Sequence, residues 1–327
     1  MTETLLEISE LSLEFRTSRG RVHALNGVNF SVRAGEIVGV VGESGCGKSV
    51  TMAAATRLLP SGSAKVTGGQ VALFGRDPFR LSERALQDMR GRDVAMIFQE
   101  PMNALNPTIR VGRQMVEVIR RHQGLEARAA GRRAASLLAD MLIAEPERVM
   151  HLYPFELSGG MRQRVLIAMA FSSGPRLIIA DEPTTALDVT VQALILGLIR
   201  SSAERLGTAV VLISHDMAVV SQLCARLAVM YAGRVVEEGD TVSVLRAPAH
   251  PYTRALIRCL PGGAAAKAPL EQISGIVPNL LHPPEGCMFR PRCTEANERC
   301  VSVPPEAWVA ASRRVACWRR IEEAGPE

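Results

Sequence analysis

Residues 42–49 read GESGCGKS and follow directly on the apolar run IVGVV at 37–41. Glycines let a backbone turn so that successive N–H groups face one point, and a lysine and a serine at the far end bring a cation and a hydroxyl there. The pattern G-x-x-x-x-G-K-[ST] puts Gly42, Gly47, Lys48 and Ser49 between a buried strand and a helix. The loop is therefore expected to cradle phosphates, with Lys48 on the terminal phosphates and Ser49 offering an oxygen to magnesium. Glu43, Ser44, Gly45, Cys46 and Val50 complete the expected nucleotide cradle.

A phosphate cradle needs an acid that holds metal. LIIADE at 177–182 ends an apolar strand in Asp181, placed to hold magnesium, and Glu182, whose side chain faces the other way and suits a base that orients and deprotonates an attacking water. A second anion site is expected in LSGGMRQR at 157–164, where Ser158, Gly159 and Gly160 leave free N–H groups at the start of the apolar helix VLIAMAF. The first cradle already serves the phosphates. A second one more than a hundred residues on suggests that two such chains sandwich ATP, each completing the other's site.

The rest of the chain supports an α/β class. Short β-like runs with turn glycines at 20, 27 and 35 fill the first 40 residues and predict antiparallel strands feeding one buried strand. Val50 to about Leu59 is helical in pattern, and QVALFG and DVAMIFQ predict two more strands. Helix formers with helically spaced apolar positions between about Gln114 and Met150 predict a helical insertion. LIIADE, the helix VTVQALILGLIRSSAERLG and the strand TAVVLISHD predict a parallel crossover, and RLAVMYAGRVVEEGD predicts a hairpin turning at Ala232-Gly233. Beyond about Leu245 prolines, glycines and alanines take over, with LPGGAAAKAPL as a linker, so a boundary is expected within 245–270.

Composition bounds the function. A chain of 327 residues with 47% hydrophobic content can bury a large core, and its apolar runs stop well short of the roughly 18 residues needed to span a bilayer. The start, MTETLLEISE, is acidic where a secretory leader is basic, which predicts a cytoplasmic protein. A net charge of +5 suits an anionic partner such as nucleotide, nucleic acid or lipid headgroups. Seven cysteines without a leader argue against a disulfide framework.

GESGCGKS, Gln99 in FQEP, LSGGMRQR, LIIADEPT, ALD at 186–188 and His215 in ISHD stand in the order and approximate spacing of the ATP-binding cassette ATPases, which the chain resembles over about residues 5–245. The resemblance implies a RecA-like P-loop domain with an antiparallel β subdomain and a helical subdomain at about 100–172, taking ATP and Mg2+. It also implies that Gln99 senses magnesium and water and couples to the membrane partner, that His215 contacts the γ-phosphate, and that Asp188 lies at the dimer interface. Phe15 stands where the family stacks an aromatic on adenine; a plain core phenylalanine is the alternative. Met161 after the signature glycines, QEPMNALNP at 99–107 and HPYTRAL at 250–256 resemble the oligopeptide, dipeptide and nickel importers, in particular the first of their two ATPase subunits. That likeness implies a peripheral protein on the cytoplasmic face of the inner membrane. Its expected partners are a second ATPase subunit (a different chain or a second copy), two transmembrane permease subunits and, indirectly, an extracytoplasmic solute-binding protein, with no nucleic acid. A soluble ATPase of DNA repair or translation and an exporter ATPase are the rival readings.

The last segment, 246–327, carries Cys287, Cys293, Cys300 and Cys317 among many prolines. The gaps of five, six and sixteen residues match neither zinc ribbons nor ferredoxins, and spacing alone decides nothing. So short and proline-rich a segment is expected to be irregular and to need a staple. In the peptide-importer family it resembles a C-terminal extension whose four cysteines in some members ligate a 4Fe-4S cluster; zinc and unligated thiols stay open.

Overall fold

The computed structural model describes residues 2–60, 62–99, 104–185, 187–259 and 272–324. The linker LPGGAAAKAPL, residues 100–103 of QEPMNALNP and position 186 of ALD lie outside the described residues. In chain order the strands are β1 (Thr4–Thr17), β2 (Gly20–Arg33), β3 (Ile37–Val41), β4 (Ala64–Leu73), β5 (Val94–Ile97), β6 (Leu177–Asp181), β7 (Ala209–Ser214), β8 (Arg226–Tyr231), β9 (Arg234–Asp240), β10 (Ala307–Ala310) and β11 (Arg313–Val315). The chain forms two compact units. One comprises Met1–Glu3, Arg33–Glu36 and Arg80–Leu212; the other comprises Thr4–Val32, Ile37–Phe79 and Ile213–Glu327.

The unit that contains the glycine loop has two sheet portions. β2, β1 and β4 form an antiparallel arrangement in which β1 pairs with β4 from Leu6 opposite Leu73 to Phe15 opposite Ala64. In the other portion β3 runs parallel to β8, which pairs antiparallel with β9. Val38, Val40 and Val41 on β3 and Leu227 and Val229 on β8 are fully buried, as continuous apolar runs in a parallel sheet covered on both faces require. The β8–β9 hairpin turns at Ala232 and Gly233, both with positive φ, which matches the right-handed twist of the strands. A Cβ on Gly233 would lie 2.6 Å from the carbonyl oxygen of Ala24, so only glycine fits there.

The C-terminal extension is more ordered than its composition predicts. It is irregular between residues 272 and 306 apart from short 3-10 turns, but β11 then pairs with β9 and β10 with β11, and a helix follows at Trp318–Ala324. The cause is charge: Glu237 and Glu238 on β9 are buried, and Arg313 and Arg314 of β11 arrive to pair with them. Glu237 also accepts the backbone N–H groups of Ala249 at 2.9 Å and His250 at 2.8 Å, so the buried carboxylate is fully hydrogen-bonded.

In the other unit β5 runs parallel to β6, from Val94 opposite Leu177 to Ile97 opposite Ala180. The expected helical insertion is present as helices at Val111–Gln123, Ala127–Asp140 and Pro146–His151. Val111, Met115 and Ile119 on the first and Ala130, Ala134, Leu137 and Leu138 on the second are buried, the three-to-four-residue spacing of an amphipathic helix. The short helix Glu83–Met89, capped by Ser82, was not marked by any apolar period. Helix Val189–Leu206 connects β6 to β7 and stops at Gly207 in a left-handed conformation.

Candidate functional site

The glycine loop follows β3 and enters helix Lys48–Ala55. Gly42, Gly45 and Gly47 all have positive φ. Cβ atoms on Gly42 and Gly47 would lie 2.2 Å from the carbonyl oxygen of Met230 and 2.9 Å from Leu25, so the backbone is both left-handed and tightly approached. Lys48 is buried, and its Nζ donates to the carbonyl oxygens of Gly42 at 2.8 Å and Glu43 at 3.0 Å, the ring closure that preshapes such a loop. Ser44, Gly45 and Ser49 are exposed, and Val50 is half-buried. Cys46 is buried beneath the loop, and burial pushes its thiol up despite the nearby Lys48.

Glu43 is anchored by residues that sequence reasoning did not single out. Its N–H donates to the hydroxyl of Tyr252 at 3.0 Å, and its carboxylate accepts both terminal nitrogens of Arg292, at 2.8 and 3.1 Å. HPYTRAL marked Tyr252 only by likeness; nothing in FRPR distinguishes Arg292 from its neighbours. Phe15 is half-buried at the end of β1, and His215 is exposed after β7.

In the other unit Asp181 ends β6 and is buried, while Glu182 follows with φ 47°, a left-handed conformation uncommon outside glycine. Gln99 Nε2 donates to Glu182 Oε2 at 2.9 Å, and Thr185 Oγ1 donates to the same oxygen at 2.8 Å. Gln99 and Thr185 therefore share one oxygen of Glu182, a residue 83 positions along the chain from Gln99.

Ser158 is the N-cap of helix Gly159–Phe171, its Oγ accepting the N–H of Met161 at 3.3 Å. Ser158 and Gly159 are exposed, and a Cβ on Gly160 would press within 3.0 Å of Val191. Asp188 caps helix Val189–Leu206 by accepting the N–H of Val191 at 2.9 Å and is exposed. Both caps present a polar, solvent-facing helix start.

The four tail cysteines are half-buried free thiols. Burial raises the thiols of Cys287 and Cys317 and pushes that of Cys293 up to about 11, while backbone N–H groups of neighbouring residues bond to each of these sulfurs. Among the described residues, however, no three His, Cys, Asp or Glu side chains stand close enough to hold a metal ion. No helix of the described residues is long and apolar enough to cross a membrane.

Comparison with known proteins agrees with this geometry. The family described as ABC transporter matches residues 25–185, and the family described as oligopeptide/dipeptide transporter, C-terminal region, matches residues 236–300. The chain is 54% identical to the probable D,D-dipeptide transport ATP-binding protein DdpD of Escherichia coli, covering 99% of each chain. It is 44% identical to the oligopeptide transport ATP-binding protein OppD of Salmonella typhimurium, over 98% of this chain and 95% of the other. Among solved structures, the ATP-binding cassette MJ0796, a dimer in a post-hydrolysis state with ADP and phosphate, is 27% identical. It aligns with a TM-score of 0.65 over 72% of this chain and 98% of its own.

Proposed function

Because the chain belongs to the ATP-binding cassette transporter family, we propose that it is the ATP-hydrolysing subunit of a bacterial importer that takes up dipeptides, oligopeptides or a related solute. The single observation that carries this reading is the pairing of a preshaped phosphate loop, closed by Lys48, with an extension of the peptide-transporter type on the same chain. Residues 1–245 are read as the cassette and 246–327 as the extension.

The residues divide the work as follows. The N–H groups of residues 42–50 and the Lys48 ammonium bind the phosphates, and Phe15 stacks on the base. Ser49, Asp181 and Gln99 are the residues that would hold magnesium, which would supply positive charge to offset the phosphates. Glu182 accepts the proton of the attacking water, and Gln99 and Thr185, by donating to Glu182 Oε2, fix its direction. His215 faces the γ-phosphate. The exposed cap at Ser158, Gly159 and Gly160 closes on the nucleotide of a second ATPase subunit, with Asp188 at that interface. Two permease subunits and a solute-binding protein complete the transporter, and this chain sits on the cytoplasmic side of the membrane.

The extension is read as holding a 4Fe-4S cluster on Cys287, Cys293, Cys300 and Cys317. Four cysteines in one short segment, with backbone N–H groups bonded to three of the sulfurs, would supply that donor set. The sulfurs would have to close in to complete the shell.

Uptake tests the function. Cells deleted for this chain should lose dipeptide uptake, regain it with the wild-type chain and not with Lys48→Ala. Undiminished uptake in the deletion strain assigns the chain to another solute.

A further inference from the structure

The extension reaches back to the glycine loop, and the contact is a built one. Arg292 is only 4% exposed in its side chain, although arginine is among the residues least often buried. Its terminal nitrogens grip the Glu43 carboxylate bidentately. Its other donor directions are also used: Nε to the carbonyl oxygen of Ser274 at 3.0 Å, Nη2 to that of Ile273 at 3.3 Å and Nη1 to the Tyr231 hydroxyl at 3.3 Å. A Cβ on Gly275 would lie 3.1 Å from Arg292 Cγ, so the chain folds closely over the side chain.

Glu43 in turn is held on three sides. Tyr252, fully buried, takes its N–H, Arg292 takes its carboxylate, and Lys48 takes its carbonyl oxygen. Lys48 is the cation that meets the phosphates, so Glu43 links that cation to the extension through a single residue. The carboxylate has a second effect. A negative charge in the second position of a phosphate cradle opposes a polyphosphate, and the guanidinium neutralises it.

Arg292 also sits within the cysteine-bearing turn. The N–H of Arg292 donates to the carbonyl oxygen of Phe289 at 2.9 Å, the N–H of Arg290 to that of Cys287 at 3.0 Å, and the N–H of Cys293 to that of Arg290 at 3.2 Å. Phe289 packs edge-on against Tyr231 and Tyr252 at 5.2 and 5.4 Å between ring centroids. The turn between Cys287 and Cys293 is thus fixed to the same aromatic base that supports Glu43.

We infer that Arg292 is a positioning residue for the phosphate loop, which through Glu43 ties nucleotide affinity to the conformation of the Cys287–Cys293 turn. This rests on the reading of residues 42–49 as the ATP site and adds a reciprocal coupling: a turn that holds Arg292 in place favours ATP binding, and bound ATP steadies the turn by the same factor.

The test uses the full-length chain and a fluorescent ATP analogue. Arg292→Ala should weaken binding about tenfold, and in the assembled transporter the loss should fall mainly on KM rather than kcat. Arg292→Lys keeps the charge without the fork and should lie between, which also covers the case in which the alanine variant fails to fold. Glu43→Gln combined with Arg292→Ala should be no weaker than Arg292→Ala alone, since both act through one contact. In hydrogen–deuterium exchange, ATP should slow the 287–293 peptide several-fold in the wild type and not in Glu43→Gln. If the wild type binds ATP while Arg292→Ala and Arg292→Lys stay within twofold of it, or if the two substitutions add, or if ATP leaves the 287–293 peptide unchanged, the coupling is wrong. If the wild type binds no ATP, the reading of the site itself is wrong.

Discussion

Gln99 Nε2 lies 2.9 Å from Glu182 Oε2, joining the segment after β5 to the residue after β6. The bond gives a physical link between the loop proposed to couple to the membrane partner and the carboxylate proposed as the base. Replacing Glu182 with Gln keeps the shape and removes the proton acceptor. ATP binding should persist, and hydrolysis in the assembled transporter should fall by about 10²–10⁴-fold, the usual contribution of a positioned base. A phosphate-release assay with turnover within a few-fold of wild type would remove Glu182 from that role.

Ser158 caps its own helix, and in the proposed ATP sandwich it also meets the nucleotide of a neighbour. Ser158→Ala should destabilise the chain by about 1 kcal/mol through the lost cap. Ser158→Arg should abolish hydrolysis at the partner's nucleotide while leaving binding at this chain's own loop intact. Equilibrium binding and hydrolysis measured on the same preparation separate the two, and full hydrolysis by a strict monomer would refute the sandwich.

Stability should fall in mild acid because of His250. Burial pushes this imidazole down to about 3, with Arg320 adding repulsion, while its Nδ1 accepts the N–H of Tyr252 at 3.0 Å. The folded value lies below the unfolded one of about 6.5. The unfolded chain therefore binds a proton that the folded chain refuses, and the stabilisation present above pH 6.5 is lost as pH falls towards 3. Between pH 7 and pH 5 this amounts to about 2 kcal/mol. Urea unfolding at the two pH values should show a drop smaller by about that amount in His250→Asn, which can still cap the helix.

How much of this was legible in the sequence depends on the range of the contact. Gly42, Gly47 and Lys48 were readable because the loop's geometry is local: left-handed glycines and a lysine folding back over six residues. The β8–β9 hairpin was readable at Ala232-Gly233 for the same reason. Arg292 on Glu43 spans 249 positions, and no local pattern announces which of several tail arginines will be buried. Nor does composition reveal that Glu237 and Glu238 are buried partners of β11. The left-handed backbone at Glu182 is likewise imposed by tertiary structure, since glutamate has no intrinsic preference for it.

Anaerobically purified chain should be brown, with broad absorbance near about 400 nm and about four irons per chain, as a cubane held by four thiolates requires. Colourless protein with one zinc replaces the cluster by a zinc site, and four titratable thiols with no metal leave the extension stapled by β11 and the buried arginines alone.

The most direct measurement is ATP hydrolysis by the purified transporter in proteoliposomes, assembled with its permeases and second ATPase subunit and presented with its solute-binding protein. The account predicts that peptide-loaded binding protein stimulates hydrolysis, that peptide accumulates in step with it, and that Glu182→Gln stops both while ATP remains bound. Hydrolysis that persists undiminished in Glu182→Gln, or that runs without any peptide transport, would contradict it.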